Sequence, residues 1–356
     1  MAAPEFDNVF VCYTAPNYLK ALCLAQRAHA RGERSRILCL FQRGRTHPAL
    51  VDTSAIDWAE VGILEHAHRH VPILPGDRRD WPRLARKLAT KLVLKARRVL
   101  LHGAERRRVL AEVGRGRRVF LFLERTYFSN LILRRRACTL VEEGCATYRP
   151  YRVRSARTLA LEERFPGEHV RVSEVLLQRP EHADARIRAK VRPLALQYRE
   201  LPRDVRERIL RSFPLELPPC VAPRALIVGQ AWSVSAVPFG RTLELYRRLA
   251  GLLAARGYAV HLKPHPNEEP AAYADLGLHL LDPRVPLDAF ELRDGPPPFA
   301  CAVSVLSSSL NDAPHLAKRR VCFLEGEIVV EDLEPADLER AQRECEERLA
   351  SVLDAR

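Results

Sequence analysis

Three short stretches carry residue types that can do chemistry together. Val141-Glu142-Glu143-Gly144 places two adjacent carboxylates before a glycine. At the end of a strand both cannot face solvent, so one is expected near apolar walls. There its pKa rises and it becomes a stronger general base. A solvated turn is the plain alternative. Lys263-Pro264-His265-Pro266 fixes the backbone on both sides of one histidine. An imidazole held this way, with a lysine two residues away, suits a phosphate. It can hydrogen-bond the oxygens and donate a proton to a leaving phosphate. An ordinary turn with a surface histidine is the alternative, and Lys263 then stays solvated. Ser307-Ser308-Ser309 offers hydroxyls and backbone N–H groups just before Leu310–Leu316. If that segment is a helix, its start is an anion site, or the serines simply cap it.

Each stretch follows an apolar run of strand character. Strands are expected at Val9–Cys12, Arg36–Phe41, Val119–Leu123 and Thr139–Glu142. A second set is expected at Ala225–Gly229, Tyr258–Leu262, Ala300–Val305 and Val321–Leu324. Helical patterns lie between them. One is Thr242–Arg256, with Leu243, Leu245, Leu249, Leu252 and Leu253 at helical spacing. Strands alternating with helices imply an α/β fold with parallel sheets and crossover helices. Ligands of such sheets bind beyond the carboxyl ends of the strands, where all three stretches stand.

The 356 residues suit two domains better than one. The segment Phe213–Pro223 holds four prolines and reads as the linker. The expected division is 1–215, 222–330 and a C-terminal helical tail, 331–356, that could pack on either domain. Charge changes at the same place. Residues 1–220 hold 43 Lys and Arg against 24 Asp and Glu, whereas residues 221–356 hold 15 against 20. The first half therefore expects an anionic partner: nucleic acid, an acidic glycan or an anionic membrane surface. Within it, Trp81–Leu101 aligns Leu84, Leu88, Leu92 and Ala96 on one helical face and crowds Arg and Lys on the rest. Such a helix can lie on an anionic leaflet, or its leucines can face the domain core. The nine cysteines form no CxxC pair, and most sit in apolar runs, as buried thiols of a reducing compartment do. With no secretory leader and no apolar stretch of membrane-spanning length, a cytoplasmic location is expected, peripheral on the inner membrane if the basic helix binds lipid.

The order of the motifs is more specific than any one of them. An acidic-acidic-glycine motif, an HP motif and a serine cluster, in this order, resemble bacterial sialyltransferases. The context VEEGCATY is most similar to the bacterial polysialyltransferases, with the lipooligosaccharide sialyltransferases near them. Ile227-Val-Gly-Gln230 resembles the strand opening their nucleotide domain, and Val9–Pro16 is loosely similar to their first strand and loop. The resemblance implies a GT-B architecture, two Rossmann-like domains with parallel sheets facing a central cleft. Acceptor and base would belong to the first domain and the CMP-sugar to the second. It implies inverting, metal-independent transfer of sialic acid from CMP-sialic acid to a capsular or lipooligosaccharide glycan, with no cofactor. The chain agrees in having no Asp-x-Asp pair and no His/Cys cluster for a metal. In that scheme Glu143 is the base and Glu142 orients it. His265 serves the phosphate, with Lys263, Ser307, Ser308, Ser309, Gly229 and Gln230 on the donor side. Two other readings stay open. A transferase of Kdo or another nonulosonic acid shares the CMP donor. A basic nucleic-acid-binding protein would explain a pI near 9.7, although aromatic residues are only 7% and no nucleic-acid motif is present.

Overall fold

A computed structural model describes residues 4–42, 53–66, 103–154, 161–213, 215–232, 235, 237–306, 310, 313–324 and 335–354. The chain forms two compact units, Met1–His47 with Asp57–Leu196, and Pro48–Ile56 with Gln197–Arg356.

The first unit is built on β1 (Phe6–Cys12), β2 (Ser35–Gln42), β3 (Glu60–His66), β4 (Gly116–Leu121) and β5 (Cys138–Val141). An antiparallel hairpin, β6 (Tyr151–Arg154) and β7 (Leu161–Arg164), precedes β8 (Val172–Leu177) and β9 (Val191–Pro193). Seven of these form one parallel sheet in the order β3-β2-β1-β4-β5-β8-β9. Its central strands are nearly continuous apolar runs because helices cover both faces. Those described are α1 (Ala15–His29), α2 (Gly103–Gly114) and α3 (Tyr127–Leu133). Val9, Val11, Leu38, Leu121, Leu140 and Val175 make the core with Ile132 and Leu133 of α3. Each such side chain contributes about 1.5–3 kcal/mol by leaving water.

The main stretch of the second unit begins at Gln197, ahead of the proline-rich segment at which the sequence suggests a break. The cause lies in α4 (Arg203–Arg211). Its Val205 and Ile209 are buried, and Arg206 donates to the Leu292 carbonyl at 3.3 Å and to Asp294 at 2.6 Å. Next come β10 (Arg224–Val228), α5 (Phe239–Ala254), β11 (Ala259–Lys263), β12 (His279–Leu280), β13 (Phe299–Ser304), β14 (Ala317–Cys322) and α6 (Pro335–Asp354). The sheet is again parallel, ordered β12-β11-β10-β13-β14. Both units thus have the Rossmann-like pattern of strands wound outward from a central first strand.

The C-terminal helix packs on the second unit, where Leu338, Ala341, Cys345 and Leu349 join the core formed by Ile227, Leu245, Leu249 and Val303. Strand β14 starts four residues before the expected Val321. Its Ala-Lys-Arg-Arg opening disguises an edge strand, with Lys318 and Arg320 exposed and Val321 buried. Among the described residues no helix is long and apolar enough to cross a membrane. The basic segment Trp81–Leu101 lies outside the described residues.

Candidate functional site

In the first unit the site starts at the carboxyl ends of β1, β4 and β5. Thr14 caps α1, its hydroxyl accepting from the Asn17 amide N–H at 3.4 Å, with Pro16 in the first turn. Asn17 reaches back in turn, its Oδ1 accepting from the Tyr13 N–H at 3.2 Å. This reciprocal pair of bonds resembles a capping box, except that Asn17 satisfies the N–H of the residue before the cap. It fixes the start of the helix against the sheet. One turn later comes Lys20, which is 1% exposed. Its ammonium donates to the carbonyl oxygens of Glu142, at 3.2 Å, and Glu143, at 3.0 Å.

The two carboxylates of the acidic motif part company, as adjacent residues leaving a strand do. Glu142 is fully buried. Its Oε2 accepts from the Tyr148 hydroxyl at 2.5 Å and from the Gln178 N–H at 2.6 Å, tying the end of β5 to the end of β8. Tyr148 in turn accepts from the Arg179 N–H at 2.9 Å. Glu142 is thus an internal brace. Glu143 lies on the side of α1 and β4. Its backbone N–H donates to the Thr147 hydroxyl at 3.1 Å. The residue is half-buried, and the surrounding protein removes most of the water from its carboxyl and pushes its pKa up to about 7. The positive charges of Arg125 and Lys20 and the Asn17 amide pull the other way. The Asn17 Nδ2 makes no hydrogen bond of ordinary geometry among the described residues, although Asn17 is completely buried. It is a donor held in reserve beside the base.

In the second unit the site occupies the carboxyl ends of β10, β11 and β13, which finish level, with Val228 registered against both Lys263 and Ser304. The Gly229 N–H donates to the Lys263 carbonyl at 2.8 Å. A Cβ on Gly229 would stand 2.9 Å from that carbonyl oxygen and 3.1 Å from the His265 nitrogen. Glycine is needed here for close approach of two backbones. Gln230 is buried, and its Nε2 donates to the Ser304 hydroxyl at 2.7 Å. That bond bridges β10 and β13, the point where strand order reverses and ligands of such sheets bind. Lys263 is buried rather than solvated, its ammonium donating to the Pro283 carbonyl at 3.1 Å. Burial brings its pKa down to about 8. The His265 Nδ1 accepts from the Asn267 N–H at 3.1 Å. A neutral imidazole with an accepting Nδ1 carries its proton on Nε2, which can then act as a donor. Burial, with Lys263 adding repulsion, brings the pKa of His265 down to about 4. Ser307, Ser308 and Ser309 lie outside the described residues.

The structure thus brings Glu142 and Glu143 together in the first unit, and Gly229, Gln230, Lys263 and His265 together in the second. Sequence reasoning missed Asn17, Lys20, Arg125 and Thr147. The TAPN cap was a signal for the first two, since it starts a helix directly after β1. Among the described residues no three His, Cys, Asp or Glu side chains are grouped as a metal site would need.

Two solved structures show how widely this fold is shared. A putative UDP-N-acetylglucosamine 2-epimerase from Listeria monocytogenes is 12% identical, with a TM-score of 0.55, over 99% of this chain and 89% of that one. The UDP-GlcNAc 2-epimerase from Neisseria meningitidis, bound to UDP-GlcNAc, is 13% identical, with a TM-score of 0.54, over 98% and 91%. At such identity the likeness shows the fold alone, the two Rossmann-like domains of the GT-B type. In sequence, none of the curated proteins matches the chain. The family model of alpha-2,8-polysialyltransferase matches residues 107–322, a span that runs from α2 through both motif regions to the end of β14. That span is more than half of the chain, which is a glycosyltransferase of the sialyltransferase kind and belongs to the alpha-2,8-polysialyltransferase family.

Proposed function

We propose that this protein transfers sialic acid from CMP-sialic acid to a glycan hydroxyl, with inversion at the anomeric carbon and without a metal. The carrying observation is Glu143: a carboxyl at a strand end, its backbone fixed by Lys20 and Thr147, with a pKa near 7. A base so tuned is half-ionised at neutral pH and can take a proton from a hydroxyl as it attacks. Glu142 holds the loop in place and takes no proton.

The donor belongs to the second unit. The anomeric carbon passes through an oxocarbenium-like state as the bond to the CMP phosphate breaks. The departing phosphate needs hydrogen-bond donors in place of a metal, and the Nε2–H of His265 is one. His265 is neutral in the free protein, so at first it donates a hydrogen bond and not a charge. A phosphate beside it raises its pKa and lets it take up the proton it later gives to the leaving group. Ser307, Ser308 and Ser309 follow β13 in sequence, and in this reading their hydroxyls meet phosphate oxygens. Gly229 and Gln230 shape the edge, and Lys263 supports it electrostatically from within. The basic first half, with its +19 balance, suits an acidic capsular or lipooligosaccharide acceptor. It also suits attachment to the anionic inner leaflet through Trp81–Leu101. Each positioned acid or base supplies roughly 10²–10⁴-fold.

The test is release of CMP from CMP-sialic acid by purified protein in EDTA, beside Glu143→Ala and His265→Ala. Turnover or slow donor hydrolysis that both variants abolish supports the donor, the metal independence and the two roles. Release from CMP-Kdo alone would keep the mechanism and replace the sugar. Failure to bind CMP at all would overturn the reading, and binding of DNA or RNA with steep salt dependence would favour the nucleic-acid alternative.

A further inference from the structure

Glu143 shares its surroundings with a cation that the mechanism above leaves unused. Arg125 follows β4 as Glu143 follows β5, and both line one depression with Glu124, Thr147 and Tyr151. Three arginines of this unit are paired: Arg36 with Glu112 at 2.8 Å, Arg115 with Glu5 at 2.8 Å and Arg118 with Glu33 at 2.6 Å. Arg125 is exposed and has no ion pair among the described residues. Its sequence neighbour Glu124 is turned inward, where it accepts from the Gly167 N–H at 2.5 Å. The guanidinium carbon instead stands 5.9 Å from the centre of the Tyr151 ring. Tyr151 thus presents a ring face to Arg125.

An exposed arginine is ordinarily just solvated. Three features separate this one from that reading: the carboxylate next to it is committed elsewhere, its fork lies near an aromatic platform, and its charge reaches the proposed base. The enclosed part of the depression is about 20 Å³, room for about one water molecule. No sugar ring enters it, but a single carboxylate or hydroxyl of a ligand resting on the rim does. A guanidinium is a planar two-pronged donor that matches a carboxylate.

Resting on the sialyltransferase reading, we propose that Arg125, with Tyr151 beside it, forms an acceptor subsite that receives a carboxylate of the acceptor's terminal acidic sugar and so brings that sugar's hydroxyl to Glu143. The subsite also links binding to chemistry. A bound carboxylate occupies Arg125 and adds a negative charge near Glu143. Both effects disfavour ionised Glu143 and make it a stronger base once the acceptor is in place.

The probe is a short α2,8-linked sialic acid oligomer, beside the same oligomer with its terminal carboxyl converted to an amide. Binding to the full chain is measured by calorimetry without any donor, so the result does not depend on the identity of the donor sugar. The carboxylate should bind about tenfold or more tightly than the amide. Arg125→Gln should erase that preference, and Arg125→Lys should restore it in part, since an ammonium keeps the charge but loses the fork. Circular dichroism melting of both variants establishes that they fold. An undiminished preference in Arg125→Gln, or equal binding of carboxylate and amide by the wild type, overturns the subsite. Absence of CMP-sialic acid turnover, with the binding preference and its loss intact, would instead overturn the donor assignment and leave the subsite standing.

Discussion

The ammonium of Lys20 lies 3.0 Å from the carbonyl oxygen of Glu143, and the same ammonium also holds the carbonyl of Glu142. A buried cation is thus spent on two backbone oxygens and not on a carboxylate. The arrangement fixes the main chain of the acidic motif and leaves the Glu143 carboxyl available. Lys20→Met fills similar space but abandons both carbonyls. Buried acceptors left unsatisfied cost about 1–3 kcal/mol each. Urea unfolding should show a loss of about 2–6 kcal/mol for the two carbonyls together, and transfer should fall further than stability explains because the base is no longer held. A Lys20→Met protein of normal activity would show that the motif holds itself in place.

Glu143 sets a pH dependence. With its pKa near 7, the base is mostly protonated at pH 6, so kcat/KM should rise with pH through 7 and level off about one pH unit higher. Stability runs in the opposite sense. The folded pKa lies above the ordinary 4.5, so the folded state holds its proton more tightly than the unfolded chain. The stabilisation from that proton is complete below about 4.5 and is lost as pH rises through 7. Glu143→Gln should therefore melt at a higher temperature than wild type at pH 8, with the difference shrinking towards pH 5, while transfer falls roughly 10²–10⁴-fold. A melting difference that does not change with pH would mean that the Glu143 carboxyl is not desolvated.

Much of this was legible in the sequence, for identifiable reasons. The central strands β1, β2, β10 and β13 are buried on both faces, so their apolar runs announce them. The edge strand β14 is not, and its run of three basic residues, Lys318 to Arg320, hid its first half. Strands β3 and β8 escaped for a similar cause, since Glu60, Glu65 and Glu174 interrupt them. The acidic and KPHP motifs were readable because their positions in the chain, at strand ends, are also their positions in space. Asn17, Lys20 and Arg125 reach Glu143 from more than 15 residues away, across β1 and β4. No spacing rule links residues that only the sheet order brings together. The sequence equally could not say that Glu142 faces inward and Glu143 does not, because that depends on which side of β5 is covered by β8.

Asn17 offers a test of the reserve donor. Its Oδ1 is taken by the Tyr13 N–H, so the amide nitrogen is the end left to act on Glu143. Its influence favours ionised Glu143. Asn17→Ala removes that influence, and the acid limb of kcat/KM should move to higher pH. Asn17→Asp keeps the cap on the Tyr13 N–H but places a second carboxyl beside the first, and should move the limb further in the same direction. A merely structural role would lower the rate at all pH values and leave the limb where it was.

Gly229 tests whether the position of His265 matters to the donor. The atoms nearest to an added Cβ are the Lys263 carbonyl oxygen at 2.9 Å, the His265 nitrogen at 3.1 Å and the Pro264 Cα at 3.2 Å. All three are backbone, so no side chain can swing aside to make room. Gly229→Ala must push the end of β11 away from β10 and strain the 2.8 Å bond between the Gly229 N–H and the Lys263 carbonyl. Overpacking of this kind costs about 1–3 kcal/mol, which a melting curve will register. The informative quantity is CMP affinity in the protein that remains folded. If the imidazole serves the phosphate from a fixed place, a shift of a few tenths of an ångström should weaken CMP binding several-fold. His265→Gln, whose amide can still donate a hydrogen bond, should retain more affinity than His265→Ala. CMP bound equally well by Gly229→Ala and by wild type would put the nucleotide away from this strand end and remove His265 from the mechanism.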